Sequence, residues 1–413
     1  MAARPAAPVR AKALINSTTD FWLLGGASLL VWFVLVISDV FRDTQSVGQR
    51  MMQVGIVFSF LALLCNHPHF MVSYRIAYSR GMKFIFEKWF PLLFIPGFMI
   101  AAYAAAYLFY DTDITENPIV KHLNSGFEWT GIGFRLGLQA NLGTEILGLG
   151  AWFMYLTVGW HYAKQVFGCL MVYGYYDLYP LTQLQRRILK SSVFSIAFLQ
   201  FTSVTVMMDK SMATGDASHA QAVITPIGLP VWLYHFSYVL MGLTLVATLL
   251  FVFGSNYVKH RKLPSATFLI PWIALHVWWV PVFRQMEFTF MIIPFFHSLQ
   301  YLPFAFKVEV SKIKKNHYFG ISLSTRIILL LLAGFAAFEA VPSLLDSLTN
   351  SDSSRVPWFF LSAFVVFINV HHFFIDSAIW KFSQRDVMDN VLHETALTNA
   401  GLVADSLEKR VAS

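Results

Sequence analysis

The sequence predicts an all-α fold, a polytopic transmembrane helical bundle of about ten spans with both termini cytoplasmic. Three observations lead there. Of 413 residues, 56% are hydrophobic and 13% charged, roughly half the charged share of an ordinary soluble domain. Apolar runs long enough to cross a bilayer as helices recur along the whole chain. The basic residues fall on alternate segments between those runs, as expected when positive charge is retained on the cytoplasmic side.

In order, the runs lie at 21–39, 52–74, 89–110, 143–167, 190–208, 229–254, 266–283, 288–306, 324–345 and 357–380. The seventh and eighth are separated only by Arg284-Gln285-Met286-Glu287, which predicts a tight helical hairpin. With the N-terminus inside, 21 basic residues occupy inner segments and 7 occupy outer ones; Arg75 and Lys164 stay within or at the edge of spans. A miscount by one helix would scramble that asymmetry.

The domain reading follows from the spans. Residues 1–20 form a cytoplasmic N-terminal segment, basic and without a cleavage-site pattern, so it is expected to be retained. Residues 21–381 form the membrane domain, whose outer stretch at about 111–142 holds Asp111, Asp113, Glu116 and Glu128 and reads as a loop or surface helix. Residues 382–413 form a cytoplasmic tail. A bacterial inner membrane is the expected location. The net charge of +7 reads as topology, and no nucleic-acid partner is expected. Cys65 and Cys169 lack both a disulfide framework and metal-binding spacing, which suits a reducing compartment. No internal repeat is visible, so the inverted-repeat signature of many transporters is missing. Gly25-Gly26 in the first span is suited to close helix contact.

The unusual stretch is Asn369-Val370-His371-His372-Phe373-Phe374-Ile375-Asp376. Ionisable groups inside a span are rare and mostly functional. On a helix His372 and Asp376 share a face, and His371 is turned by about 100°. Counting back from Lys381 puts both histidines about 14–15 Å from the inner edge. His297, His161, His67 and His69 fall at similar depth, and His276 slightly deeper. His235 lies near the outer start of its span and is set aside. Five helices of alternating direction thus bring histidines to one layer.

Each histidine also has a plainer reading. Pro68 is expected to break the helix between His67 and His69. The break would let both imidazoles face one site, although a helix end with solvated histidines is equally compatible. On an unbroken helix the two would diverge by about 160°. Lys164 and Gln165 follow His161 by one turn, and Gln300 and Tyr301 follow His297. They are candidates to hold a ligating imidazole's other nitrogen, or simply to bond between helices. His276 sits among Trp272, Trp278 and Trp279, where packing is the stronger reading, and stays as an outer candidate.

Neutral imidazoles suit iron, zinc or copper, and an added carboxylate favours iron or zinc. His67, His69, His161, His297, His371, His372 and Asp376 together exceed one four-coordinate zinc. The expectation is therefore one or two non-haem iron ions, with zinc or haem as alternatives. Open positions on iron would permit dioxygen chemistry on a lipid-like substrate drawn from the lipid bilayer. No GxGxxG fingerprint is present, so electrons would come from a separate electron-donor protein.

Histidines on several membrane helices near the cytoplasmic face, here His67-Pro68-His69, His161, His297 and His371-His372, resemble the histidine-box membrane enzymes: fatty-acid desaturases, membrane hydroxylases and alkane hydroxylases. The resemblance implies a metal-dependent membrane oxidoreductase or oxygenase. It assigns no ligands, because HxxxH and HxxHH spacings are absent and ten spans exceed that family's usual number.

Other classes compete. Trp160-His161 with Tyr173-Gly174-Tyr175 is similar to the membrane-bound O-acyltransferases, which would make His161 a general base. A haem with His161 and His297 as axial ligands is another. A proton- or metal-transporting path is a third, but Glu145, Glu287 and Glu339 lie toward the outer side and do not connect to the histidine layer.

Overall fold

A computed structural model describes residues 11–40, 44–131, 133–137, 141–214, 227–280, 286–314, 322–349, 356–381 and 388–392. The described residues are almost entirely helical, with a single isolated bridge between Asp113 and Asn141 in place of any strand. Eight helices among them are long and apolar enough to cross a membrane.

The helices are α1 (Ser17–Ile37), α2 (Thr44–Tyr78), α3 (Phe90–Leu108), α4 (Pro118–Thr130), α5 (Leu142–Tyr176), α6 (Gln183–Thr214), α7 (Val231–His260), α8 (Ala266–Trp279), α9 (Met286–Lys314), α10 (Ser324–Thr349) and α11 (Phe359–Ile379). Of the ten predicted spans, 266–283 and 288–306 fall on α8 and α9, and neither is among the eight. α8 has 14 residues, a rise of about 21 Å against a hydrocarbon core of about 30 Å. The hairpin expected at 284–287 begins outside the described residues, as does most of the tail. The stretch at 111–142 contains the exposed surface helix α4, capped by Asn117.

Polar side chains set the helix starts. Asn16, Asn141, Ser265 and Ser322 each accept a hydrogen bond from a first-turn amide of α1, α5, α8 and α10, satisfying donors that the helix itself leaves orphaned. Asp346 does this from a distance for α11, accepting from Phe360 N at 2.7 Å and Leu361 N at 2.9 Å.

α5 is the axis of the bundle, packed by α6, α8, α3 and α11. α2 lies against α9, α10 and α11. The outer faces carry large exposed apolar residues such as Phe60, Phe98, Leu243, Leu250, Leu329 and Leu332. That much exposed apolar surface suits a lipid solvent and would be a liability in water. Small residues bring backbones together: a Cβ on Gly25 would lie 2.8 Å from the Ile270 carbonyl oxygen and 3.0 Å from Ala274 Cβ, and one on Gly334 would run into His67 Cβ. The wide turn at Gly25 leaves the Leu24 carbonyl for Gln300 Nε2, which donates to it at 2.5 Å.

Candidate metal centre

Four helices each bring one histidine to a common point: His69 on α2, His161 on α5, His297 on α9 and His372 on α11. One ring nitrogen from each lies within 4.8 Å of the other three, and all four residues are buried. His69 Nε2 is 2.7 Å from His372 Nε2, and His161 Nε2 is 3.0 Å from His297 Nε2. Aromatic rings wall the group in. Tyr301 packs on His69 and Tyr162 on His297, each with centroids 4.0 Å apart, and Phe373 stacks on His161 at 4.5 Å.

This donor set fits a metal ion. Imidazole ligands at about 2.0–2.1 Å in tetrahedral array stand about 3.3 Å apart, so the two close pairs would spread by a few tenths of an ångström while the wider separations, up to 4.8 Å, would draw in. Without an ion, the Nε2 atoms have chiefly one another as partners, and Nδ1 of His69, His297 and His372 meets no partner among the described residues. Buried polar nitrogens left so poorly paired cost about 1–3 kcal/mol each. Four imidazoles converging at one point, three of them with an unpartnered nitrogen, are a strong inducement to bind a cation.

Asp376 stands at the edge of the group. Its Oδ2 lies 3.6 Å from His372 Nε2 and 4.0 Å from His161 Nε2. Its Oδ1 accepts from Ser73 Oγ at 2.8 Å, and Ser73 Oγ is 2.6 Å from the Tyr301 hydroxyl, to which Trp380 Nε1 donates at 3.2 Å. Ser73 escaped the sequence reading. Its signal was there: Ser73, Gln165, Tyr301 and Asp376 each follow a cluster histidine by four residues, one turn on the same face.

That pattern also fixes direction. His69, His297 and His372 meet, and one turn later along each chain segment Ser73, Tyr301 and Asp376 meet again, so α2, α9 and α11 run parallel. Gln165 on α5 donates to the His297 carbonyl at 2.9 Å and lies 3.4 Å from Gln300 Oε1, in the same sense. The four helices that converge share one direction, as the second, fourth, eighth and tenth spans of the sequence reading would; the oppositely directed seventh span carries His276, which stays outside the group.

The other expected residues lie apart. α2 runs through Pro68 without a break, so His67 and His69 leave on opposite faces, and His67 stacks on Phe338 at 4.7 Å. His371 is held between two tyrosines, Nδ1 at 2.9 Å from the Tyr74 hydroxyl and Nε2 at 3.2 Å from that of Tyr78. His276 packs on Trp272 and bonds its carbonyl at 2.8 Å. Gln165, Gln300 and Tyr301 surround the group, but their hydrogen bonds go to backbone carbonyls, to one another, to Ser73 and to Trp380 and leave the imidazole nitrogens alone. Lys164 places its ammonium 5.0 Å from the Trp160 ring centroid.

A cavity opens beside the cluster. His161, Lys164, Gln165, Tyr301 and Asp376 line it at the end nearest the cluster, and Val172, Phe304 and Val391 line it farther along α5. It is polar where it meets His161 and Asp376 and apolar beyond.

No known protein family, no curated protein and no solved structure matches the chain.

Proposed function

We propose that the protein is a membrane-embedded, metal-dependent oxidoreductase. It holds non-haem iron on His69, His161, His297 and His372, with Asp376 as a carboxylate at its edge, and acts on a lipid or hydrocarbon substrate from the cytoplasmic half of the bilayer. The observation that carries this reading is the convergence of four buried imidazoles and one carboxylate beside a cavity with an apolar far end. Four histidines alone would saturate zinc; a carboxylate within 4.0 Å of two of them and a cavity at the same edge favour an ion with more coordination positions. Iron held there would supply one-electron and dioxygen chemistry. The imidazoles converge too closely to admit a macrocycle between an axial pair, which speaks against haem. His161 Nε2 faces His297 at 3.0 Å, which speaks against a general base serving acyl transfer.

The same geometry is in keeping with ten spans, which would put both termini on one side; the basic residues of the inner segments are what favour the cytoplasmic side. α5 and α9 run parallel with α6, α7 and α8 between them. α2 and α5 are separated by α3 as the membrane-long helix, and α9 and α11 by α10. Parallel site helices require an odd number of crossings in each interval, which counts α8 as a span and makes α2, α5, α9 and α11 the even-numbered ones.

The test is metal content and visible spectrum of the purified protein. One iron per chain, without a Soret band and lost in His69→Ala/His372→Ala, is the expected result. A metal-free protein, or one whose metal survives that double substitution, would sink the proposal.

A further inference from the structure

At about 80 Å³, the cavity beside the four histidines is far smaller than the roughly 300–1,000 Å³ of ordinary small-molecule sites. An alkyl chain cannot enter it unless something moves. A second cavity, of about 490 Å³, lies where α5 ends and α6 begins. Met171, Leu181 and Leu392 give it an apolar lining, and it reaches the surface at Leu178 and Arg186, both exposed. The two cavities are neighbours. Val172 and Val391 face the first, and Met171 and Leu392 face the second.

Two pieces of chain stand between them. One is α5, the axis of the bundle, which is packed by four helices and has no room to yield. The other is the short segment 388–392, whose Asn390, Val391 and Leu392 are buried. Its hydrogen bonds to the bundle come from three separate elements. Among the described residues, the Tyr176 hydroxyl on α5 donates to the Val391 carbonyl at 2.5 Å, and Ser311 Oγ on α9 donates to Asn390 Oδ1 at 2.8 Å. Ala11 N, in the segment before α1, donates to the Leu392 carbonyl at 3.1 Å. Each such bond has a modest net value, because water replaces it on opening. Five residues held this way form a unit that can open by itself while the long helices stay packed.

We propose that segment 388–392 is a removable plug, and that an alkyl chain enters through the second cavity and reaches the four-histidine centre when the plug lifts. This rests on the oxidoreductase reading for the identity of the substrate. With the plug out, the two cavities become one passage. It runs from the rim at Leu178 and Arg186, past Met171 and Val172, to His161 and Asp376. Its lining is chiefly apolar until it meets those last two residues, which suits a hydrocarbon chain. With the plug in, the space beside the centre is too small for that chain and closed at its apolar end.

Cys169 is a built-in reporter. It lines the first cavity and is 0% exposed, so a thiol reagent reaches it only after a wall opens. The test follows its labelling by N-ethylmaleimide, mapped by mass spectrometry, on the full chain carrying Cys65→Ser in lipid nanodiscs. Tyr176→Phe with Ser311→Ala removes two of the three hydrogen bonds and should speed the labelling of Cys169 at least tenfold. Adding Leu181→Trp, which fills the second cavity, should slow it again at least fivefold. Ala163 is fully buried on α5 and lines neither cavity, so the thiol in Ala163→Cys should stay unlabelled throughout. Equal rates with and without the two hydrogen bonds overturn the plug, and an unchanged rate on adding Leu181→Trp overturns the route. Labelling of Ala163→Cys in step with Cys169 means that the whole bundle loosens, which also overturns the plug. None of these readouts needs the metal. A metal-free protein would sink the oxidoreductase reading, while the labelling still decides the plug.

Discussion

His67 and His69 stand two residues apart on one unbroken helix and serve different neighbours. His69 Nε2 lies 2.7 Å from His372 Nε2, whereas His67 stacks 4.7 Å from Phe338. The roughly 200° between positions i and i+2 separates a ligand from a packing residue.

The first prediction follows. His69→Ala should lower metal affinity by more than the 10–100-fold typical of losing a partner one step removed from the ion. His67→Phe should leave metal content unchanged, because a phenyl ring preserves the stacking on Phe338. His371→Phe should also leave the metal in place. Metal per chain, measured by mass spectrometry on protein loaded under identical conditions, checks all three. Metal loss in His67→Phe matching that in His69→Ala would remove the distinction.

Asp376 gives the second prediction. One of its oxygens points at His372 and His161, and the other is fixed by Ser73. Ser73→Ala frees the carboxylate to rotate and should weaken metal binding about tenfold. Asp376→Ala should weaken it further, and Glu339→Ala not at all. Competition with a chelator of known affinity reads each value. Equal results for Asp376→Ala and Glu339→Ala would reduce Asp376 to a packing role.

Much of this was legible in the sequence, for physical reasons. Apolar length betrays a helix whatever its partners, so the ninth and tenth predicted runs and most others reappear as helices. Depth in the bilayer follows from counting residues back to a basic edge, so His69, His161, His297 and His372 were all candidates. Rotation about each helix axis was the missing quantity. It depends on whether Pro68 breaks α2, and in the tightly packed bundle it does not, which sends His67 toward α10. It also depends on which tyrosines approach His371, and Tyr74 and Tyr78 come from a helix whose facing side no single span reveals. Close helix contact at Gly25 was legible from the Gly25-Gly26 pair, but the turn there was not, because the Leu24 carbonyl it leaves open is taken by Gln300, far along the chain.

That turn supplies the third prediction. Gly25→Ala places a methyl 2.8 Å from the Ile270 carbonyl oxygen and 3.0 Å from Ala274 Cβ, both on α8. Backbone cannot retreat as a flexible side chain can, so the substitution should destabilise the protein by about 1–3 kcal/mol. Gly97→Ala, where an added Cβ meets nothing within 4 Å, is the matched control. Thermal unfolding in one detergent distinguishes them, and equal melting temperatures would count against the close approach of α1 and α8.

The last prediction separates stability from the metal. Asp20 is fully buried at the start of α1, yet it lies outside the histidine cluster. Its carboxylate accepts from Leu14 N at 2.8 Å, from Ile15 N at 3.1 Å and from the Tyr173 hydroxyl at 2.5 Å. It therefore ties the segment before α1 to the C-terminal part of α5, and Lys307 also donates to the Ala13 carbonyl at 2.7 Å. Asp20→Ala would leave two amides and a phenol without their acceptor. Hydrogen bonds to a charged group contribute about 1.5–3 kcal/mol each, and unsatisfied partners add to the loss, so a destabilisation on the order of 3 kcal/mol or more is expected. Asp20→Asn keeps an acceptor oxygen and should lose less. In both variants the fraction that remains folded should bind metal with unchanged affinity, because no ligand or ligand partner moves. Denaturant unfolding and chelator competition on the same preparations check the two halves. A weakened metal affinity with unchanged stability would mean that Asp20 reaches the site and is not a structural clasp.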